Sequence, residues 1–259
     1  MRIARFTDVN KKVCYGIIGS DSVEVIEGDI FGQWRKTGTK IAMKSVRLLI
    51  PIVPSNFLCL GKNYRAFSGE ENPSFPREPL LFIKATSAVV GPDDAILLPA
   101  VAPSEVYYEA ELAVVIKKAA RNVSEKNAMD YVLGFTVSND VGAKDCQAND
   151  GQWARAKSFD TFAPMGPWIE TELDPRNCKV RSRVNGVLIQ DSTTALMIFN
   201  VSYTISYLSR CMTLLPGTVI SMGSPGVLKE PRPFLHDGDV VEAEIEGIGV
   251  LKNEVVAQK

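Results

Sequence analysis

The 259-residue sequence contains a single histidine, His236. That scarcity excludes a histidine-based zinc site and a Ser-His-Asp reading of most of the chain. Cysteine is also sparse: Cys14, Cys59, Cys146, Cys178 and Cys211 lie far apart, with no C-x-x-C pair. An odd, scattered set points to reduced thiols in a cytoplasmic protein rather than to a disulfide framework. No apolar run is long enough to cross a bilayer. Met1-Arg2-Ile3-Ala4-Arg5 leads into polar sequence without a secretory core. Neither charge is in excess, since 29 Lys and Arg stand against 30 Asp and Glu. Such a balance argues against a nucleic-acid or membrane-surface partner. Repeats and low-complexity tracts are absent, and the lone GSPG at 223–226 lacks the spacing of a phosphate loop.

What the chain has in quantity is short β-branched and apolar runs, within a hydrophobic content of 46%. IARFTD, KVCYGIIG and SVEVIEG predict a small β-rich N-terminal domain over residues 1–52. FGQWRKTGTKI is expected to hold one helical turn, and Pro51 and Pro54 mark a linker. Residues 53–259 then form the main domain. EPLLFIKA, YEAELAVVI, VLGFTVSND, KVRSRVNGVLIQD, TVISMG and DVVEAEIEGIGVLKNEV read as strands, with Asn185-Gly186 as a hairpin turn. Helices are few: SEKNAMDYV, with Ser124 in the capping position, and MIFNVSYTISYLSRCM, with apolar residues at Ile198, Val201, Ile205 and Leu208. The class is mainly β with a few helices, not an alternating βαβ fold.

The stretch YYEAEL carries the first chemical signal. Strand alternation points Glu109 and Glu111 the same way. At about 5–7 Å, two such charges repel by roughly 2–3 kcal/mol at an effective dielectric near 20. One reading is a pair of polar positions on a solvated strand face. The other joins them to Asp140, which ends the apolar strand VLGFTVSND. Three carboxylates converging from two strand ends make an all-oxygen site suited to Mg²⁺, Mn²⁺ or Ca²⁺. A divalent ion there turns repulsion into attraction and keeps the acids ionised. Lys157, in RAKSFD, follows closely enough to hold a substrate carboxylate or enolate; its alternative is a solvated surface lysine.

These pieces, in this order, resemble the fumarylacetoacetate hydrolase family. The carriers are LGKNY (60–64), YEAELAVVI (108–116), GFTVSNDVGAKDCQ (134–147), GQWARAKSFDTFAPMGPW (151–168), VNGVLIQDSTTALMIF (184–199), LLPGTVISMGSPG (214–226) and GDVVEAEIEGIGVLKNEV (238–255). The pattern resembles members named 2-hydroxyhepta-2,4-diene-1,7-dioate isomerase and acylpyruvate hydrolase. The resemblance implies a mixed β-roll, usually assembled as a homodimer. It implies metal binding by Glu109, Glu111 and Asp140, and an active-site role for Lys157. Gln147, Thr194, Tyr64 and Lys144 match positions that contact substrate. The implied substrate is a small 2-oxo or dicarboxylic acid, chelated to the metal and passing through an enol or enolate. Isomerisation, decarboxylation and C–C hydrolysis are alternative exits from related states, chosen by proton-transfer groups and pocket shape.

One departure bears on that choice. Many family members carry a His-x-x-Glu pair on a short lid, whereas NYRAFSGE places Phe67 at the histidine position and retains Glu70. Loss of the imidazole favours isomerase, tautomerase or decarboxylase chemistry, with Glu70 shuttling the proton. Retained hydrolysis by other groups, and a catalytically silent metal-containing binding protein, are the alternatives. His236, in FLHDGD, is expected at the surface. Lys144 stands where arginine is frequent, giving a point charge in place of a planar fork. GSPGVLKEPRP replaces a more glycine-rich loop.

Overall fold

The computed structural model describes residues 1–65, 75–102 and 104–258. The longer elements in chain order are β1 (Arg2–Thr7), β2 (Val13–Ile18), β3 (Ser22–Gly28), β4 (Trp34–Ala42), β5 (Asn56–Gly61), β6 (Leu80–Lys84), β7 (Ala110–Ile116) and β8 (Val132–Asn139). After β8 come two short helices, α1 (Lys144–Asp150) and α2 (Ala154–Lys157), then β9 (Ala163–Glu170), β10 (Lys179–Val184) and β11 (Val187–Thr193). The helix α3 (Val201–Cys211) precedes β12 (Thr218–Ser221), β13 (Val240–Ile245) and β14 (Gly249–Ala257). The fold is mainly β, as the sequence predicts.

A 12-stranded sheet runs in the order β4-β3-β2-β1-β9-β8-β7-β12-β5-β6, with two short strands off this path. A second sheet of five strands runs β11-β10-β13-β14 and ends on Ile96–Leu98. The N-terminal meander joins the large sheet edge to edge, because β1 pairs antiparallel with β9 through Arg2↔Glu170 and Ile3↔Ile169. Its core is shared too: Ile3, Ile26 and Ile30 pack with Phe57, Cys59, Ala113 and Val115. On the other side of the large sheet, Leu112, Val114 and Val137 meet Val180, Ala243, Ile245 and Leu251 of the second sheet and Val201, Ile205 and Leu208 of α3. β7 is therefore covered on both faces, and every residue of it is buried.

Local chemistry explains most elements. Asn185 and Gly186 both have positive φ, 51° and 78°, as the tight hairpin between β10 and β11 requires. α3 starts where the Asn200 side chain accepts a bond from Tyr203 N. The segment expected to hold a helical turn is β4 instead. Thr37, Thr39 and Ile41 favour extended backbone, and pairing with β3 supplies its hydrogen bonds. SEKNAMDYV forms a 3₁₀ segment, Glu125–Tyr131, and Ser124 makes no side-chain cap bond. DVVEAEIEGIGVLKNEV splits into the hairpin β13–β14. Helix α1 lacks an apolar stripe and was not expected; it ends at Gly151, with φ at 65°.

Candidate functional site

β7 and β8 are antiparallel neighbours with Ala110↔Asn139 and Glu111↔Ser138 in register. Glu109 and Asp140 thus face each other just beyond the paired residues. Two further bonds fix the corner: Asp140 N donates to Glu109 O at 2.8 Å, and Glu109 N donates to Asn139 Oδ1 at 3.0 Å. One oxygen from each of Glu109, Glu111 and Asp140 lies within 4.8 Å of the others. Glu111 and Asp140 are buried and Glu109 is half-buried. Glu111 shares its strand face with Ala113 and Val115, which are core residues, so the solvated-face alternative does not hold for it.

The acids are held differently. Glu111 Oε2 accepts from Ser221 Oγ and, at 2.9 Å, from Gly223 N. Ser138 Oγ lies 2.6 Å from Ser221 Oγ, extending the network. Gly223 has φ at 85°, and a Cβ there would sit 2.9 Å from Asn63 Cβ and 3.0 Å from Leu60 O. Only glycine fits a backbone turned to aim its N–H at Glu111. Asp140 lies between two lysines: Lys84 Nζ donates to Oδ1 and Lys157 Nζ to Oδ2. Lys157 also donates to Glu109 Oε2 at 2.9 Å. Lys84 donates to Val141 O at 2.9 Å. Arg232 Nη1 completes the ring of cations, 3.1 Å from Glu109 Oε1 and 2.7 Å from Tyr108 O.

Burial raises the Glu111 carboxyl well above the usual range, and the charges of Asp140 and Glu109 add to it. For Asp140 burial acts the same way, but Lys157 and Lys84 outweigh it and hold the carboxyl low. Lys157 is the mirror case: burial opposes its charge, yet Asp140 and Glu109 raise it well above an ordinary lysine. Burial lowers Lys84, and the opposing charge of Asp140 does not fully offset it. The ring of Tyr107 lies 4.7 Å from Lys157 Nζ.

These groups open into a cavity of about 190 Å³. Gly61, Lys62, Phe82, Trp153 and Ser224 join Tyr107, Gln147, Lys157 and the three acids in lining it. Of the residues expected from the sequence, Glu109, Glu111, Asp140, Lys157 and Gln147 come together there. Gln147 Oε1 accepts from Tyr107 OH at 2.6 Å. Tyr64, Lys144 and Thr194 are not among the described lining residues. Tyr64 pairs its backbone with Met197; its hydroxyl is buried with no hydrogen-bond partner among the described residues, and burial, then Glu111, raises its pKa. Lys144 is exposed at the start of α1, with Nζ 5.5 Å from the Phe234 ring. Thr194 Oγ1 accepts from Cys178 N at 2.8 Å and lines a separate surface groove of about 530 Å³. Glu70 and Phe67 lie outside the described residues. His236 is at the surface, 80% exposed beside Asp239. Sequence reasoning assigned no role at the acids to Lys84, Arg232 or Ser221. Only Lys84 carried a signal, a charge closing the apolar strand LLFIK.

The fumarylacetoacetate (FAA) hydrolase C-terminal family model matches residues 56–256. The chain belongs to the fumarylacetoacetate hydrolase family. A second model, Rv2993c-like N-terminal, matches residues 1–51. Among relatives within the fumarylacetoacetate hydrolase family, the mitochondrial oxaloacetate tautomerase fahd2 of Xenopus laevis is 43% identical over 225 residues, covering 83% of this chain and 70% of the relative. The 5-carboxymethyl-2-hydroxymuconate delta-isomerase of Mycobacterium smegmatis superposes with a TM-score of 0.91 at 40% identity, covering both chains fully. The 2-hydroxyhepta-2,4-diene-1,7-dioate isomerase of Mycobacterium marinum gives 0.90 at 41% identity, covering 100% of this chain and 99% of that one.

Proposed function

We propose that this protein is a divalent-metal-dependent tautomerase or isomerase of small 2-oxo acids of the oxaloacetate class. The observation that carries the reading is the convergence of Glu109, Glu111 and Asp140 beside Lys157 in one cavity, in a chain whose only histidine is exposed at the surface beside Asp239. The donor set fits a hard cation: all three groups are oxygen donors, and no protein bond to Glu111 Oε1 is found among the described residues. Mg²⁺ or Mn²⁺, held by these three residues, would supply Lewis acidity toward a keto oxygen.

The chain's own groups support proton relocation more than water attack. Asp140 and Glu109 favour the charged form of Lys157, which suits it to face negative charge developing on the substrate. Gln147 accepts from Tyr107 through its oxygen, which turns its amide nitrogen to a donor role for substrate oxygens. Glu70 is the proton shuttle in this reading. The absence of an imidazole beside the acids removes the usual activator of water. The tautomerase and isomerase names of the relatives point the same way. A homodimer is part of the proposal, and sedimentation velocity tests it.

The deciding experiment follows the ultraviolet absorbance of enol-oxaloacetate with metal-loaded and chelator-treated protein. The expected result is metal-dependent acceleration of tautomerisation without pyruvate. Pyruvate with CO₂ would assign a decarboxylase, and pyruvate released from acylpyruvates without CO₂ a hydrolase. Metal binding with no turnover of any substrate would assign a binding protein. Phe67→His is expected to introduce or raise hydrolysis or decarboxylation.

A further inference from the structure

Among the described residues, three cations, Lys84, Lys157 and Arg232, pair with Asp140 and Glu109 of the cup. The cations are not equivalent. Lys84 and Lys157 are 0% and 2% exposed, and each is fixed by a strand or helix beneath it. Arg232 reaches in from the 226–234 loop and is 17% exposed. The loop is anchored to the fold on both sides of it, by Leu228 N to Ile189 O and Leu235 N to Val106 O, each 2.8 Å. Between these anchors, Arg232 makes the contact with the cup. One nitrogen, Nη1, serves both Glu109 Oε1 and the Tyr108 carbonyl.

Glu109 therefore has both oxygens engaged, Oε2 by Lys157 and Oε1 by Arg232. A divalent ion that uses Glu109 must share or take one of them. Lys157 cannot leave toward water, because it is buried and also bound to Asp140. Arg232 is the more exposed of the two, at 17%, and is carried on a loop, so it is the partner an incoming ion can displace. Sequence reading offered no hint of this, since Arg232 lies 124 residues from Tyr108.

We propose that Arg232 is a positioning residue that acts as the resident counter-ion of the cup. It occupies Glu109 when no metal is bound and competes with the incoming ion, so it sets the metal affinity of the site. The inference rests on the proposed metal-binding function. Its physical basis is the like charge that guanidinium and ion would bring to the same carboxylate.

The test is calorimetric titration of chelator-stripped protein with Mn²⁺, comparing wild type, Arg232→Gln, Arg232→Met and Arg232→Lys. Removing the charge in either of the first two is expected to tighten Mn²⁺ binding about tenfold or more, which is about 1.4 kcal/mol. Arg232→Lys, which keeps the charge, is expected to stay within about threefold of wild type, a result that a purely structural role would not give. The Gln and Met variants are independent, so one that fails to fold leaves the other decisive. Unchanged or weakened Mn²⁺ binding in a folded charge-removing variant overturns the proposal while leaving the metal function intact. A wild-type protein that binds no Mn²⁺ overturns both.

Discussion

Asp140→Asn gives the sharpest test of how the cup is held together. The carboxylate is 3% exposed and bridges two ammonium groups that are 0% and 2% exposed. An amide keeps the shape but removes the charge, leaving two buried cations against a neutral group. Breaking a buried pair this way costs about 3–5 kcal/mol, because the partner's desolvation is no longer offset. Solvent screening brings no discount at this burial. For a chain of this size, each kcal/mol moves the melting temperature by roughly 2–4 °C, so the expected drop is roughly 6–20 °C. The assay is urea unfolding of metal-free protein, read as a midpoint shift at unchanged m-value. Lys84→Met supplies the second arm. It removes one of the stranded cations, so it should cost less in the Asp140→Asn background than in wild type, with a coupling of about 1–3 kcal/mol. The pH dependence has a defined sign. Lys84 already has a lowered pKa, from burial first, and losing Asp140 lowers it further. The folded variant then binds fewer protons than the unfolded chain, so its deficit shrinks as pH rises. An Asp140→Asn protein within about 1 kcal/mol of wild type, or strict additivity with Lys84→Met, would refute the reasoning.

Three further outcomes are expected. Glu109→Gln and Glu111→Gln should both abolish Mn²⁺ binding by calorimetry, but Glu109, whose side chain is 24% exposed, should leave metal-free stability within about 1 kcal/mol of wild type. Because burial raises the Glu111 carboxyl, protons compete with metal: Mn²⁺ affinity should increase as pH rises. Over the same range, metal-free stability should lose the share contributed by protonated Glu111, present at low pH and lost as pH passes its raised pKa. Gly223→Ala should destabilise by about 1–3 kcal/mol, since its φ of 85° and the Asn63 and Leu60 contacts leave no room for a Cβ; denaturant midpoints and Mn²⁺ titration check this.

The legible part of the site was its acidic half. Glu109, Glu111 and Asp140 could be joined because strand alternation and chain order are local facts, and β7 and β8 are successive long strands that pair with each other. The resemblance of the ordered motifs supplied the family. The hairpin at Asn185-Gly186 and the presence of α3 were readable for the same reason, since turn residues and apolar spacing act over a few positions, but the helix starts at Val201, after the Asn200 cap, and leaves Ile198 outside it. β4 was misread because its extended state depends on β3 beside it, not on its own composition.

The basic half of the cup lay beyond the sequence. Lys84 is 56 residues from Asp140 and sits on the edge strand β6. Arg232 arrives on a loop from near the end of the chain. Neither partnership has a periodicity or a spacing that could announce it. The burial that makes these pairs matter also exists only in the assembled tertiary structure. Chain order and alternation determined which acids could share a site. The tertiary packing decided which cations neutralise them, because long-range contacts and desolvation belong to the assembled layers.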